Sequence, residues 1–148
     1  MMSKMVRTRK GFTLIEMLIV IVVIAILALI VIPRLLGAGR RAKESALRGD
    51  LQQLRNAIQQ FEADMGDYPA DLTQLMADPS SPPSGPGGSG LDLDSAGYKG
   101  PYLRTPNNQL PVDPFTNTNT DWVYTGSTGE VHSGSTLTAL DGSAYATW

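Results

Sequence analysis

Two hydrophobic patterns follow one another along this chain. In residues 12–32 every position is apolar except Thr13 and Glu16. As an α-helix rising ~1.5 Å per residue, this stretch is ~30 Å long, the thickness of a bilayer's hydrocarbon core. From Ala46 the pattern becomes periodic. Leu47, Leu51, Leu54, Ile58, Phe61 and Met65 recur at alternating spacings of four and three, which is one apolar stripe on a helix. Arg48, Gln52, Gln53, Arg55, Gln59 and Glu62 lie off the stripe, and Glu44 stands four residues before Arg48 as a helical ion pair. A single helix over both patterns, from Phe12 to about Met65, would run roughly 80 Å. Its second half needs a partner surface, which the remaining chain must supply.

Pro33, Gly37 and Gly39 lie between the two patterns. A proline inside a helix removes a backbone bond, and glycine weakens a helix, so this section is expected to be bendable. A helix that stops at Ile32 is the alternative, but helical periodicity resumes at once. Gly66-Asp67-Tyr68-Pro69 marks the end of the long helix. Residues 70–76 read as a short helix with Leu72, Leu75 and Met76 inward. Residues 78–95 carry four prolines and four glycines and read as a long loop. Asp113-Pro114 signals a turn. Trp122-Val123-Tyr124-Thr125 and Glu130-Val131-His132-Ser133, separated by Gly126-Ser127-Thr128-Gly129, read as a hairpin with Trp122 and Tyr124 on one face. The tail is polar, with Tyr145 and Trp148 as its aromatic finish. The fold class is α+β: a long N-terminal helix packed on a small antiparallel sheet.

Charge sharpens this picture at one residue. Glu16 is an acid near the start of an otherwise apolar run, and ionisable residues in a membrane helix are costly and usually have a functional partner. Snorkelling to the surface or protonation is the simpler account. The residues before it change the balance: Lys4, Arg7, Arg9 and Lys10 precede Gly11, then Phe12, with Glu16 four positions later. The length of the apolar run and the absence of a small-x-small cleavage site after it argue against an ordinary secretory signal. Lys/Arg residues flank the run equally, four before it and Arg34, Arg40, Arg41 and Lys43 after it, so charge alone does not orient the span.

Gly11-Phe12-Thr13-Leu14-Ile15-Glu16 and its basic leader resemble the processing motif of type IV pilins and of the pseudopilins of type II secretion systems. The resemblance implies that a prepilin peptidase cuts after Gly11 and methylates the new amine of Phe12. That amine is a cation at neutral pH. On a stacked neighbour it can neutralise Glu16, and the pair sets register. Asp67-Tyr68-Pro69, the Leu72-to-Leu75 segment, Tyr98-Lys99-Gly100-Pro101-Tyr102-Leu103 and Pro111-Val112-Asp113-Pro114-Phe115 resemble motifs of the major pseudopilin. The chain has no cysteine, unlike many type IV pilins that close a C-terminal disulfide.

The resemblance divides the chain into a leader, residues 1–11; a membrane and filament-core helix, 12–33; the amphipathic half of that helix, 34–65; and a small head, 66–148. It implies self-association, a peptidase and methyltransferase, an inner-membrane assembly platform, minor pilin-like subunits, and lipid before assembly. The C-terminal domain is then extracytoplasmic, with the filament in the periplasm or at the surface. The alternatives are a type IV pilin of a surface fibre and a single-span membrane-anchored binding module. No catalytic residue is expected, since His132 is the sole histidine and no nucleophile motif accompanies it. Nor is nucleic acid expected as a partner, because Arg40, Arg41 and Lys43 form too short a cluster to favour it; anionic headgroups are the other candidate for these cations. Residues 34–65 hold six basic and four acidic residues, and residues 66–148 two and nine, so stem and head of stacked subunits attract one another.

Major pseudopilins often carry calcium in a C-terminal loop. Asn117, Asn119 and Asp121 place side-chain oxygens at alternate positions, as calcium loops do. Asx turns explain the same residues, and Asp141 is the only acid after Glu130. No metal site is carried over, and no cofactor is expected.

Overall fold

The computed structural model describes residues 11–148, with residues 33–36 described by their backbone alone. The leader cations Lys4, Arg7, Arg9 and Lys10 lie outside the described residues, as do the side chains of Pro33 and Arg34. A 52-residue helix, α1, runs from Leu14–Met65. The backbone is helical through Pro33, Gly37 and Gly39, so the helix does not stop at Ile32. Two compact units share α1: Met1–Gly39 and Arg40–Trp148.

In the first unit, every large apolar side chain from Phe12 to Ile32 is exposed, none less than 45%. Such a surface does not persist in water. Among the described residues α1 is the one helix long and apolar enough to cross a membrane.

In the second unit the predicted stripe is the core. Leu47, Leu51, Leu54, Ile58, Phe61 and Met65 are buried, joined by Ala57. They pack with Leu72, Leu75, Met76, Leu93, Leu103, Trp122, Val131, Ala139 and Tyr145. α1 ends as the sequence indicates: Gly66 takes φ +80°, and its N–H donates to the Glu62 carbonyl at 2.9 Å. A left-handed glycine after the last turn is the usual helix stop. The next helix is a 3-10 segment, Leu72–Met76, shorter than residues 70–76 because Asp71 caps it, accepting from the Thr73 N–H at 2.8 Å. Leu72, Leu75 and Met76 point inward as expected. Strands β1, Trp122–Thr125, and β2, Glu130–Ser133, form the antiparallel hairpin, with Tyr124 opposite Val131. Trp122 is buried and Val123 exposed, which fixes the inner face. His132 lies half-buried on the outer face, its ring nitrogen 3.1 Å from the Ser133 carbonyl oxygen.

Residues 78–95 are not an open loop. Asp67, 4% exposed, draws them in. Its carboxylate accepts from the Tyr68 N–H at 2.8 Å, the Ser89 hydroxyl at 2.6 Å, and the Ser89 and Leu91 N–H groups at 3.2 Å each. Burial alone would raise the Asp67 pKa, but Ser89 and these backbone donors together hold it below the usual carboxylate value. A short 3-10 segment, Ser95–Gly97, closes the excursion. Asp113 does more than mark a turn. It is fully buried, accepts from the Phe115 N–H at 2.7 Å, and also receives the Ser133 hydroxyl, tying its turn to β2.

Candidate assembly site

Thr13 stands immediately before the first helical residue, Leu14, and Glu16 closes the first turn. The Thr13 hydroxyl oxygen accepts from the Glu16 N–H at 3.3 Å. Glu16 Oε2 accepts in return from the Thr13 N–H at 2.8 Å and the Thr13 hydroxyl at 3.0 Å. This reciprocal arrangement is a capping box, which satisfies two backbone donors that a helix start leaves unpaired. The positive end of the helix dipole favours a carboxylate at the same place. Glu16 therefore has a partner in its own chain. Reading it as an acid that snorkels, is protonated or awaits a neighbour missed Thr13, although Thr-x-x-Glu before an apolar run is the sequence signature of such a box.

Phe12 lies beside this box, 79% exposed, with its nitrogen still in a peptide bond to Gly11. Among the described residues a Cβ added at Gly11 would meet nothing within 4 Å. The same holds for Gly37 and Gly39, which sit in ordinary helical backbone with open space around them.

A second set of polar side chains on α1 reaches the C-terminal segment. Arg40 donates to the Thr138 carbonyl oxygen, and its Nε lies 3.5 Å from the Tyr145 hydroxyl. Glu44 Oε1 accepts from the Leu140 N–H at 2.8 Å and the Tyr145 hydroxyl at 2.9 Å. The expected pair of Glu44 with Arg48 does not form: Glu44 meets Arg40 at 3.9 Å, while Arg48 meets Asp141 at 3.9 Å and covers the Trp148 ring at 4.2 Å. Arg48 turns to partners across the fold, while Glu44 keeps a helical neighbour on its other side, Arg40, and is held by Leu140 and Tyr145 of the tail. Arg55 donates to the Val131 carbonyl at 3.0 Å and to that of Trp148. Nothing in the tail's polar sequence announced that the stem would grip it at four positions.

Of the calcium candidates, Asn119 and Asp141 have side-chain partners of their own, and Asn117 serves a turn. The Asn119 amide donates to Gln109 Oε1 at 3.3 Å, and Asn117 takes φ +57° in a turn closed by its N–H on the Asp113 carbonyl at 2.8 Å. Asp141 is engaged by Ser143 and Arg48. Among the described residues no three His, Cys, Asp or Glu side chains gather into a metal site.

The prokaryotic N-terminal methylation motif matches residues 6–32, and the family described as type II secretion system (T2SS), protein G, matches residues 34–137. The type II secretion system core protein G of Pseudomonas aeruginosa is 32% identical over 111 residues, covering 75% of this chain and 71% of that protein. Its namesake in Escherichia coli K12 is 33% identical over 113 residues, 74% of this chain and 68% of the other. The type IV wide pilus major component PilA4 of Thermus thermophilus is 39% identical over 71 residues, 48% of this chain and 54% of that one. No solved structure gives a significant match.

Proposed function

The chain belongs to the type II secretion system protein G family and is a pilin-like structural subunit of the pseudopilus; we propose that it reaches that filament by cleavage after Gly11, residence in the inner membrane through residues 12–32, and polymerisation through the new Phe12 amine and Glu16. The observation that carries this course is the exposed apolar helix whose single acid sits at its capped start. Among the described residues packing does not call for glycine at position 11; in this reading the peptidase that cuts there does. In the uncut chain the capping box satisfies Glu16. After cleavage a neighbour's amine competes for the same carboxylate, and in the apolar filament core a charged partner outweighs an amide N–H.

In this reading the head is extracytoplasmic, and the inner-membrane platform and minor pilin-like subunits are partners in assembly. A surface fibre is the lesser reading, because the pilus relative matches 48% of the chain whereas the protein G family spans residues 34–137. The C-terminal segment is held by Arg40, Glu44, Arg48 and Arg55 of α1 in place of calcium. Chelator or added calcium is then expected to leave the head's melting temperature unchanged, and a clear rise with calcium refutes the point.

Assembly is tested with Glu16→Leu in cells that carry the secretion system. Breaking a buried charge pair costs roughly 3–5 kcal/mol. The variant should be inserted and cut to begin at Phe12, as intact mass will show, yet form no ordered filaments. Filaments at normal yield and unchanged rise would remove Glu16 from the assembly contact. A mature chain that retains residues 1–11 would refute the processing step.

A further inference from the structure

The hairpin has an edge that β2 does not cover. The Gly134 N–H donates to the Asp121 carbonyl at 2.7 Å, so these two residues form a hydrogen-bonded pair that extends the antiparallel ladder. Such pairs recur at every second residue. In the observed register the next ones are Val123 with His132 and Thr125 with Glu130. Val123 and Thr125 therefore direct their backbone groups at β2, and the N–H and C=O groups of Trp122 and Tyr124 point the opposite way. The sheet has two strands, and among the described residues no other hydrogen bond reaches those four groups. The two side chains are anchored separately, Trp122 Nε1 on the Pro111 carbonyl and the Tyr124 hydroxyl on that of Pro69, at 2.8 Å each.

A free strand edge is a template for another strand unless something covers it. This one borders a cleft. Trp122 and Tyr124 line a space of about 500 Å³ whose walls include Leu72, Met76 and Leu110. Asp71 stands exposed on the same wall as Leu72, and Asp121, also exposed, immediately precedes β1. Neither acid has a cation within 4 Å among the described residues. Residues 66–148 carry nine acids and two bases, and one of those bases, Lys99, is paired with Asp64 at 2.6 Å. These features specify an occupant. Donors and acceptors alternating at strand spacing match another polypeptide backbone in extended form. Apolar walls call for an apolar side chain at every second residue, and the two acids call for lysine or arginine. We propose that the cleft is a docking site for an extended, basic segment of another protein, which adds a strand to the hairpin along β1. The inference rests on the Arg40–Trp148 unit alone, and it holds whether or not Phe12 and Glu16 make the filament contact. The subunit thereby carries a recognition site separate from its polymerising helix.

The probe is a fluorescein-labelled peptide pool in which valine, isoleucine or tyrosine alternates with threonine and lysine stands at both ends. It is titrated by fluorescence anisotropy against the full chain in detergent micelles. Saturable binding is expected, and a pool ending in glutamate should bind roughly fivefold more weakly. Asp71→Asn with Asp121→Asn should weaken the lysine pool by about the same factor, since asparagine keeps the cap on Thr73 and removes the charge. A peptide recovered from the pool is then methylated at alternate amide nitrogens. Methylating the set that faces β1 should cost roughly tenfold in affinity, and methylating the other set less than about twofold. In hydrogen exchange the Trp122 and Tyr124 amides should be fast in the free chain and slow about tenfold or more with peptide bound, while Val123 and Thr125 are slow throughout. No saturable binding overturns the proposal. So do equal losses from the two methylated sets, or binding that leaves the Trp122 and Tyr124 amides unprotected. Protection of those amides without peptide that grows with protein concentration assigns the edge to a second copy and also overturns it.

Discussion

In residues 12–32 no large apolar side chain is less than 45% exposed, whereas Leu47, Leu51, Leu54, Ile58, Phe61 and Met65 are at most 1% exposed. Apart from Phe12, which precedes it, both sets belong to α1 and draw on the same leucines and isoleucines. The second set alternates with polar residues and finds its partners in the chain's own head. The first has no polar face, so lipid or other copies must complete it. Stability of the head and competence to assemble are therefore separable properties of one helix. The sharpest way to break this comparison is a matched pair of truncations. Phe61→Ala removes a ring that meets Tyr102 at 5.8 Å and Tyr98 at 6.4 Å. It should cost the head about 3–5 kcal/mol in denaturant unfolding. Leu27→Ala should leave that unfolding curve unmoved and act on filament yield alone. Equal shifts from the two substitutions would show that the halves do not fold independently.

The next effect lies within the head. Asp67→Ala strands the Ser89 and Leu91 donors, and leaving buried groups unpaired costs about 1–3 kcal/mol. The depressed pKa of Asp67 gives the same contact a pH signature. A carboxyl whose folded pKa lies below its unfolded value, about 3.9, contributes stability that is full above that value. The contribution fades as pH falls through the folded pKa. Thermal melts of the wild type should therefore lose stability below about pH 4, and Asp67→Ala should flatten that part of the profile. Limited proteolysis should first cut residues 78–95 in the variant. An unchanged acid limb in Asp67→Ala would assign the loss to other carboxylates.

A smaller effect, about 1 kcal/mol, is expected at the start of α1 from Thr13→Val, which keeps the shape of the side chain and removes the cap. Amides 14–17 should exchange faster in detergent while the head's unfolding stays as it was. If exchange does not change, the hydrogen bonds between Thr13 and Glu16 do not hold the helix start.

What could be read from the sequence followed periodicity. The stripe, the stop at Gly66 and the hairpin registered on Trp122 and Tyr124 are local patterns, and the structure keeps them. Contacts distant in sequence were not legible. Asp67 reaches Ser89, 22 residues away, and Arg40 reaches Tyr145, 105 residues away. A polar residue gives no sign of which distant donor it will meet. The pairing of Glu44 with Arg48 failed for that reason, because partners across the fold took both side chains. Thr13 is the opposite case: its signal, a hydroxyl three residues before Glu16, is local and present in the sequence. The role proposed for Gly11 rests on the sequence alone, since no contact among the described residues bears on it.

The smallest expected effect concerns Pro33, Gly37 and Gly39, proposed as a bendable section although the backbone there is helical. α1 contains a control in Gly49, which also sits in open space, but in the packed half. Glycine costs a helix about 0.5–1 kcal/mol relative to alanine, so the intrinsic gain from Gly39→Ala and from Gly49→Ala is the same. Their consequences differ. Around Gly49 the flanking Leu47 and Leu51 are buried, so opening there requires the core to loosen, and one alanine changes local exchange little. Around Gly39 the helix relies on its own propensity, and the full gain should appear as a roughly two- to fivefold slowing of amide exchange over residues 37–42. If flexibility in this section serves assembly, Gly37→Ala with Gly39→Ala should also lower filament yield while the head's melting temperature holds. Wild-type amides at 37–42 that already exchange as slowly as those at 51–58 would show that the section is not weak, and the two glycines would then need another explanation.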